Sequence, residues 1–213
     1  MLYGFIILVI GTASLSGTAF SRLSKQWNRE YIVSRFGITI YQINDLIGTL
    51  RPTVSSWFGY DVALKEFNDY YENNTIPVSN NSYTNLYKDY NVIFVHMESM
   101  MSFLIDLKIN DTVITPNLNK LSQESIYFTN FYPQIGVGTS SDTEFTLTTS
   151  LMPASNGTAF VTYYDREYVT IPKLLREKGY YTFSMHGNKA SMWNRNKMHP
   201  SLGYMDFYSS TSY

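Results

Sequence analysis

The chain has 213 residues, enough for one domain with an appendage, and 44% of them are hydrophobic, so it can bury a core. Its formal net charge of -1 lacks the basic excess typical of nucleic-acid binding, and we expect no nucleic-acid partner. Cysteine is absent, which excludes disulfides, thiolate metal sites and cysteine nucleophiles.

The first segment, residues 1–21, carries no charged side chain and is most apolar over residues 2–10. An uncharged stretch of this length can just span a bilayer core, so we predict a transmembrane helix. A signal peptide is a second interpretation, although no basic region precedes the apolar run, and a buried helix is a third. Arg22, Lys25 and Arg29 follow directly, and these charges taken alone would leave the rest of the chain in the cytoplasm.

The next segment, residues 22–87, is predicted to be a helical connector. Residues 51–52, Arg-Pro, should break a helix, whereas the apolar spacing over residues 61–71 predicts one. Residues 73–85 are rich in Asn, Ser and Thr, which is typical of a loop. We therefore place a domain boundary here, with a catalytic-type domain over residues 88–213.

Within residues 88–213, strand patterns alternate with helix patterns, which predicts an α/β domain with a mainly parallel sheet flanked by helices. Residues 141–144, Ser-Asp-Thr-Glu, have the spacing of a capping box at a helix start. The predicted strands are residues 91–96, 126–131 and 180–185, and the predicted helices are residues 115–123, 141–150 and 170–178, the last ended by Gly179.

Polar residues follow the predicted strands, and ligands of parallel sheets bind beyond the carboxyl ends of strands. Glu98 comes just after the first strand, where a carboxylate could bind a hard cation. The alternative is that Glu98 caps a helix or is simply solvated.

A second polar cluster spans residues 136–144, where Gly136 and Gly138 precede three hydroxyl side chains at a predicted helix N-terminus. Such an N-terminus favours a phosphate, and a hydroxyl beside a metal ion can act as a nucleophile. The alternative is that these side chains merely cap the helix, which Ser141 is expected to do. The three hydroxyls belong to Thr139, Ser140 and Ser141.

A third cluster comprises His186, directly after the last predicted strand, with Trp193 and Arg195. The guanidinium of Arg is a forked donor suited to phosphate, and Trp offers a flat face to a glycerol or sugar unit. The alternative is a structural histidine with a Trp–Arg stack on the surface.

Together, residues 91–99 (NVIFVHMES), 138–145 (GTSSDTEF) and 185–195 (MHGNKASMWNR) resemble the extracellular domain of lipoteichoic acid synthases. These enzymes belong to the sulfatase-like branch of the alkaline phosphatase superfamily. The resemblance implies a partial sulfatase-like domain after the apolar helix and connector. It implies that Glu98 and Ser140 bind the metal and that Ser140 is the catalytic residue, in place of the family's Thr. A shift of one residue would give that role to Thr139.

The resemblance further implies that His186, Trp193 and Arg195 contact the substrate's glycerol phosphate. The implied cofactor is a divalent metal, manganese with magnesium as the alternative. The implied reaction transfers glycerol phosphate from phosphatidylglycerol to a growing lipoteichoic acid chain, outside the cell membrane that anchors the protein.

The family completes its metal site with an adjacent Asp-His pair downstream, and this chain contains no such pair. We therefore expect a fragment that lacks the C-terminal half of the catalytic domain, binds metal weakly and turns over nothing alone. Alternatives are another phosphoglycerol or phosphoethanolamine transferase, a sulfuric ester hydrolase, or a non-catalytic remnant that binds anionic polymers. The sulfatase signature Cys/Ser-x-Pro-x-Arg is not found after Ser140.

Overall fold

The structure is a computed structural model that describes residues 2–13, 15–26, 28–55, 57–155 and 157–212. The chain divides into two compact units. The first unit contains residues 1–80 and 134–213, and the second contains residues 81–133. The predicted boundary at residue 87 stays a prediction.

Helices dominate the described residues, and the strands are short. The α-helices, in chain order, are α1 (Leu2–Ala13), α2 (Gly17–Lys25), α3 (Arg29–Phe36), α4 (Ile38–Ser55), α5 (Tyr60–Asn74), α6 (Pro116–Glu124), α7 (Ser140–Thr149), α8 (Ala159–Thr162), α9 (Ile171–Glu177) and α10 (Arg195–Ser201). The strands are β1 (Lys108–Ile109), β2 (Thr112–Val113), β3 (Phe183–Met185) and β4 (Asp206–Tyr208), and two 3-10 helices span Ser102–Leu104 and Met192–Asn194.

The apolar N-terminal segment forms two helices, so the prediction of one continuous helix over residues 1–21 is wrong. Helix α1 ends at Ala13, and the Ser16 hydroxyl then accepts a hydrogen bond from the Ala19 N–H at 3.3 Å, which caps a new helix. Within the described ranges, no helix is both long and apolar enough to cross a membrane.

The connector is helical, as predicted, and helix α5 confirms the helix predicted over residues 61–71. The predicted break at residues 51–52 is wrong, because α4 continues through them to Ser55. Proline removes one backbone N–H, so α4 loses the single hydrogen bond from residue 52 to the Gly48 carbonyl and still continues to Ser55.

A hydrophobic core in the first unit joins α7, α8, α10 and the 3-10 helix before α10. Fully burying one large apolar side chain stabilises a fold by about 2 kcal/mol. This packing fixes the backbone that carries most of the predicted site residues. The buried members of the core are Phe145, Ala159, Phe160, Trp193, Met198 and Leu202.

The last predicted helix and strand are confirmed in this unit. Thr170 caps α9 by accepting a hydrogen bond from the Lys173 N–H, and Gly179, with φ of +85°, follows the helix end. Strand β3 covers part of the predicted strand over residues 180–185 and pairs in parallel with β4. The described part of the predicted parallel sheet is therefore this single pair.

In the second unit, the predicted helix at residue 115 is confirmed as α6, with Thr115 before it and Pro116 at its first position. Strands β1 and β2 form an antiparallel hairpin, whose two turn residues, Asn110 and Asp111, both have positive φ.

The strands predicted over residues 91–96 and 126–131 are wrong. Neither segment pairs with a strand among the described residues, and side chains 92–95 are each more than 60% exposed. A continuous apolar run forms a central strand only where neighbouring strands satisfy its backbone and other elements cover both faces. Residues 81–133 supply neither.

Candidate active site

Ser140 is the first residue of α7 and is partly exposed. Thr139 precedes it with φ of +47° and ψ of −112°, and its side chain makes no capping hydrogen bond. A β-branched residue at positive φ is strained, and such strain is concentrated at functional sites. The chain therefore turns sharply to present the Ser140 side chain at a helix N-terminus, where the helix dipole favours negative charge.

Asp142 holds the glycine loop that leads into this turn. Its Oδ2 accepts hydrogen bonds from the N–H groups of Gly136 at 2.9 Å and Gly138 at 2.8 Å. A Cβ at Gly138 would lie 2.2 Å from Asp142 Oδ1, so only glycine fits beside this carboxylate. The loop's conformation thus depends on the pairing of Gly138 with a buried Asp142.

The predicted capping box is wrong. Ser141 is buried within the first turn, and its hydroxyl donates a hydrogen bond to the Gly138 carbonyl at 2.8 Å. Glu144 does not serve as the box's carboxylate, because it is bound to α10 instead. The charged partners on α10 compete for this carboxylate more effectively than a backbone N–H does.

Glu144 is the centre of a buried polar network. Arg195 Nε donates to its two carboxylate oxygens at 3.2 and 3.0 Å, and Arg195 Nη2 donates to Oε1 as well. His199 Nε2 lies 3.1 Å from Glu144 Oε2. Burial alone would raise the pKa of Glu144, but the hydrogen bonds and positive charge of His199 and Arg195 outweigh it and lower the pKa to about 2.

The predicted substrate-binding residues lie in the same unit. Trp193 and Arg195 are buried, so the alternative of a Trp–Arg stack on the surface is wrong. His186 is partly exposed. Its backbone N–H donates to the Tyr208 carbonyl at 2.9 Å, and its ring Nδ1 accepts from the backbone N–H of Asn188 at 3.1 Å. Contact of these three residues with substrate stays a prediction.

Glu98 belongs to the second unit, where it lies in a turn after residues 91–97 and is exposed. Manganese and magnesium prefer oxygen ligands, and the Glu98 carboxylate and the Ser140 hydroxyl are of that kind. No group of three or more His, Cys, Asp or Glu side chains in the described part of the chain is placed to hold a metal ion. The two predicted donors match such an ion in kind, and their metal role stays a prediction.

Two members of the site were not predicted. The local spacing predicts a capping box for Glu144, and no motif indicates a role for His199. His199 Nδ1 lies 2.7 Å from the hydroxyl of Ser184 on β3, and His199 Nε2 lies 3.1 Å from Glu144 Oε2. The spacing of Arg195 and His199, four residues apart and so on one face of a helix, is the signal that could have revealed a shared carboxylate partner.

The comparisons with known proteins show the family to which the chain belongs. Residues 90–213 match the model of the sulfatase family, so the chain belongs to the sulfatase family. Individual relatives point to one group within this family. The chain is 32% identical over 210 residues to lipoteichoic acid synthase 2 of Bacillus subtilis, and the match covers 98% of this chain and 32% of that protein. It is 34% identical over 196 residues to the lipoteichoic acid synthase of Staphylococcus aureus strain RF122, covering 90% of this chain and 30% of that protein.

Among solved structures, the lipoteichoic acid synthase LtaP from Listeria monocytogenes matches with a TM-score of 0.50 and 34% identity, over 51% of this chain and 27% of that one. These matches confirm the resemblance to lipoteichoic acid synthases and support a sulfatase-like α/β fold, of which the described residues show small sheets. The chain spans about a third of the length of the curated relatives that it matches.

Proposed function

We propose that this chain is part of a phosphotransferase that moves glycerol phosphate from phosphatidylglycerol to a growing lipoteichoic acid chain, with Ser140 as the nucleophile. The observation that carries the proposal is the placement of Ser140 at the start of α7. A strained residue precedes it, and a glycine loop tied by Asp142 leads into it. Family membership and the names of the relatives support this assignment.

In the proposed reaction, the Ser140 oxygen forms a bond to phosphorus while the bond from phosphorus to the diacylglycerol oxygen breaks. The Ser140 proton is lost, and the departing diacylglycerol oxygen gains one, which leaves a glycerophosphoryl group on Ser140. The terminal hydroxyl of the polymer then attacks the same phosphorus while the bond from phosphorus to the Ser140 oxygen breaks. The attacking hydroxyl loses its proton, and the Ser140 oxygen regains one. The start of α7 favours the negative charge that phosphate brings to this point.

Glu98 and Ser140 would contribute oxygen ligands to a divalent cation, manganese or magnesium, as the family resemblance implies. When bound, the cation supplies positive charge that favours the ionised form of the Ser140 hydroxyl. Serine in place of the family's threonine keeps the hydroxyl and removes one methyl group, so the nucleophile itself is retained.

His186, Trp193 and Arg195 are proposed to bind the glycerol phosphate unit. His186 has the most exposed side chain of the three and could reach a phosphate oxygen directly. Arg195 is held by Glu144, so in this proposal it would meet the substrate with an N–H that the carboxylate does not use. Since the donor lipid and the lipid-linked acceptor both reside in the bilayer, we place this chemistry at the outer face of the cell membrane.

Substitution in the full-length protein tests the nucleophile. Ser140→Ala should abolish incorporation of labelled glycerol phosphate from phosphatidylglycerol into polymer while the melting temperature stays within about 2 °C, because only one partly exposed hydroxyl is removed. Thr139→Ala is the matched control and should retain activity.

Full activity in Ser140→Ala would contradict the assignment, and loss in Thr139→Ala alone would move the nucleophile by one residue. The same assay with phosphatidylethanolamine and with an aryl sulfate distinguishes the rival transferase and sulfuric ester hydrolase activities. Polymer binding without turnover of any of these substrates would favour the non-catalytic alternative.

A further inference from the structure

A single carboxylate joins the elements of the first unit that carry the predicted site residues. Glu144 lies on α7 four residues after Ser140, which is about one helical turn, so the two residues share a face of the helix. Its partners, Arg195 and His199, both lie on α10, also four residues apart. The contact therefore pins α7 to α10 through two donors rather than one.

The network continues from α10 to β3. His199 Nδ1 lies 2.7 Å from Ser184 Oγ, so both ring nitrogens of His199 have partners, and the orientation of the imidazole is fixed. Ser184 precedes His186 by two residues on the same chain segment. Helices α7 and α10, which bear predicted site residues, and strand β3, which directly precedes His186, are thus connected through Glu144 and His199.

Burying these three polar side chains contributes little net stability to the fold. The side chain of Arg195 is 1% exposed, that of His199 is 7% exposed and that of Glu144 is 17% exposed. Burying charged groups carries a desolvation penalty of several kcal/mol, on the order of what their attraction returns, and apolar side chains of similar volume often serve stability equally well. Apolar packing is available directly beside the network, where Phe160 stacks edge-on against His199. What the network supplies beyond stability is a defined geometry.

We infer that Glu144 is a positioning residue for Ser140: its fork with Arg195 and its bond to His199 set the rotation and the axial position of α7. The inference rests on the proposed role of Ser140 as nucleophile. Asp142 fixes the loop before Ser140, and Glu144 fixes the helix after it. The backbone that carries Ser140 is therefore held both before and after this residue.

The test compares Glu144→Gln with a matched control, Glu167→Gln, in the full-length protein. Glu167 also forms an ion pair, with Lys173 at 3.2 Å, but its side chain is 98% exposed. We expect Glu144→Gln to lower kcat by about 10- to 100-fold, the effect of a displacement of roughly 1 Å, with KM for phosphatidylglycerol within about twofold. The control should change neither kinetic constant.

A second readout uses the metal-free protein and involves no turnover. Backbone amides in the first turns of α7, residues 142–146, should exchange with deuterium faster in Glu144→Gln than in the wild type or in Glu167→Gln. Amides of α9, which does not contact Glu144 through any described hydrogen bond, should exchange at the wild-type rate.

An unchanged kcat in Glu144→Gln, or a loss carried entirely by a higher KM, would overturn the inference. If Glu144→Gln does not fold, Glu144→Asp keeps the charge and shortens the reach by one methylene. Its kcat should also fall at unchanged KM, and a wild-type kcat would overturn the inference equally. Ser140→Ala separates the two claims: activity in that variant refutes the nucleophile, whereas an inactive Ser140→Ala with a fully active Glu144→Gln refutes only the positioning role.

Discussion

Residues 134–213 and residues 81–133 differ in the burial of their apolar side chains. The first stretch buries Phe145, Phe160 and Trp193 together, and the buried side chains of Asn194 and Arg195 beside them are hydrogen-bonded. The second stretch, all of which the structure describes, contains no fully buried side chain, and its apolar segment at residues 91–96 is exposed. The difference shows that an apolar pattern predicts how much a segment can bury, whereas its neighbours decide whether it does.

Truncation of aromatic side chains should give the largest contrast between the two regions. Phe160→Ala removes a fully buried ring and should lower the free energy of unfolding of the 213-residue chain by about 3–5 kcal/mol. Phe94→Ala is the matched change at a 64% exposed ring and should alter it by less than about 0.5 kcal/mol. Urea denaturation measures both values. An equally large loss from Phe94→Ala would show that residues 91–96 form the buried strand that their pattern predicted.

The pH dependence of stability should be set partly by Glu144. Its pKa is lowered from 4.5 to about 2 in the folded chain, so its ionised form stabilises the fold above pH 4.5 and this contribution is lost as pH falls towards 2. The shift corresponds to about 3 kcal/mol, as an order of magnitude. Urea denaturation between pH 5 and pH 2 should show a shallower decline for Glu144→Gln than for the wild type. Parallel curves would mean that Glu144 is not held by Arg195 and His199.

The glycine loop should be sensitive to a single methyl group. Gly138→Ala places a Cβ 2.2 Å from Asp142 Oδ1 and should lower the free energy of unfolding by about 2 kcal/mol, as overpacking does. Gly48→Ala, in α4 with open space around its Cβ position, should be neutral or slightly stabilising. Thermal unfolding of the two variants tests this expectation. Equal melting temperatures would contradict the close packing of Gly138 against Asp142.

The smallest effect is expected at an exposed ion pair. Glu30 lies on α3, and its Oε2 is 2.8 Å from Lys189 Nζ. Both side chains are largely solvent-exposed. Exposed pairs contribute about 0–1 kcal/mol, so Glu30→Gln should change the melting temperature by at most a few degrees. A loss comparable to that of Phe160→Ala would show that this contact, rather than the apolar core, anchors α3.

Sequence patterns predicted those elements whose signals are local. The helices predicted over residues 61–71, 115–123 and 170–178 depend on signals from neighbouring residues, and they were found as α5, α6 and α9. The strands predicted at residues 91–96 and 126–131 depend on partners distant in sequence. Over residues 1–21, a new helix begins after a local cap at Ser16, which mean hydropathy does not reveal.

The candidate site shows the same division. The hydroxyl at the start of α7 was predicted because glycine, hydroxyl and acidic residues lie next to each other in sequence. The role of Glu144 was not predicted, because its partners Arg195 and His199 lie more than fifty residues away in sequence. The residues around Glu144 also have the spacing of a capping box, which is a different role for the same carboxylate. The family resemblance implies which residues form the site, and the fold shows the network around Glu144 that sequence patterns do not reveal.

The central claim is that Ser140 carries the transferred group, and mass spectrometry of the full-length protein tests it most directly. After incubation with phosphatidylglycerol and manganese, without acceptor, the peptide containing Ser140 should gain the mass of one glycerophosphoryl group, localised by fragmentation to that residue. Turnover of the lipid with an unmodified Ser140, or with the added mass on Thr139, would contradict the account.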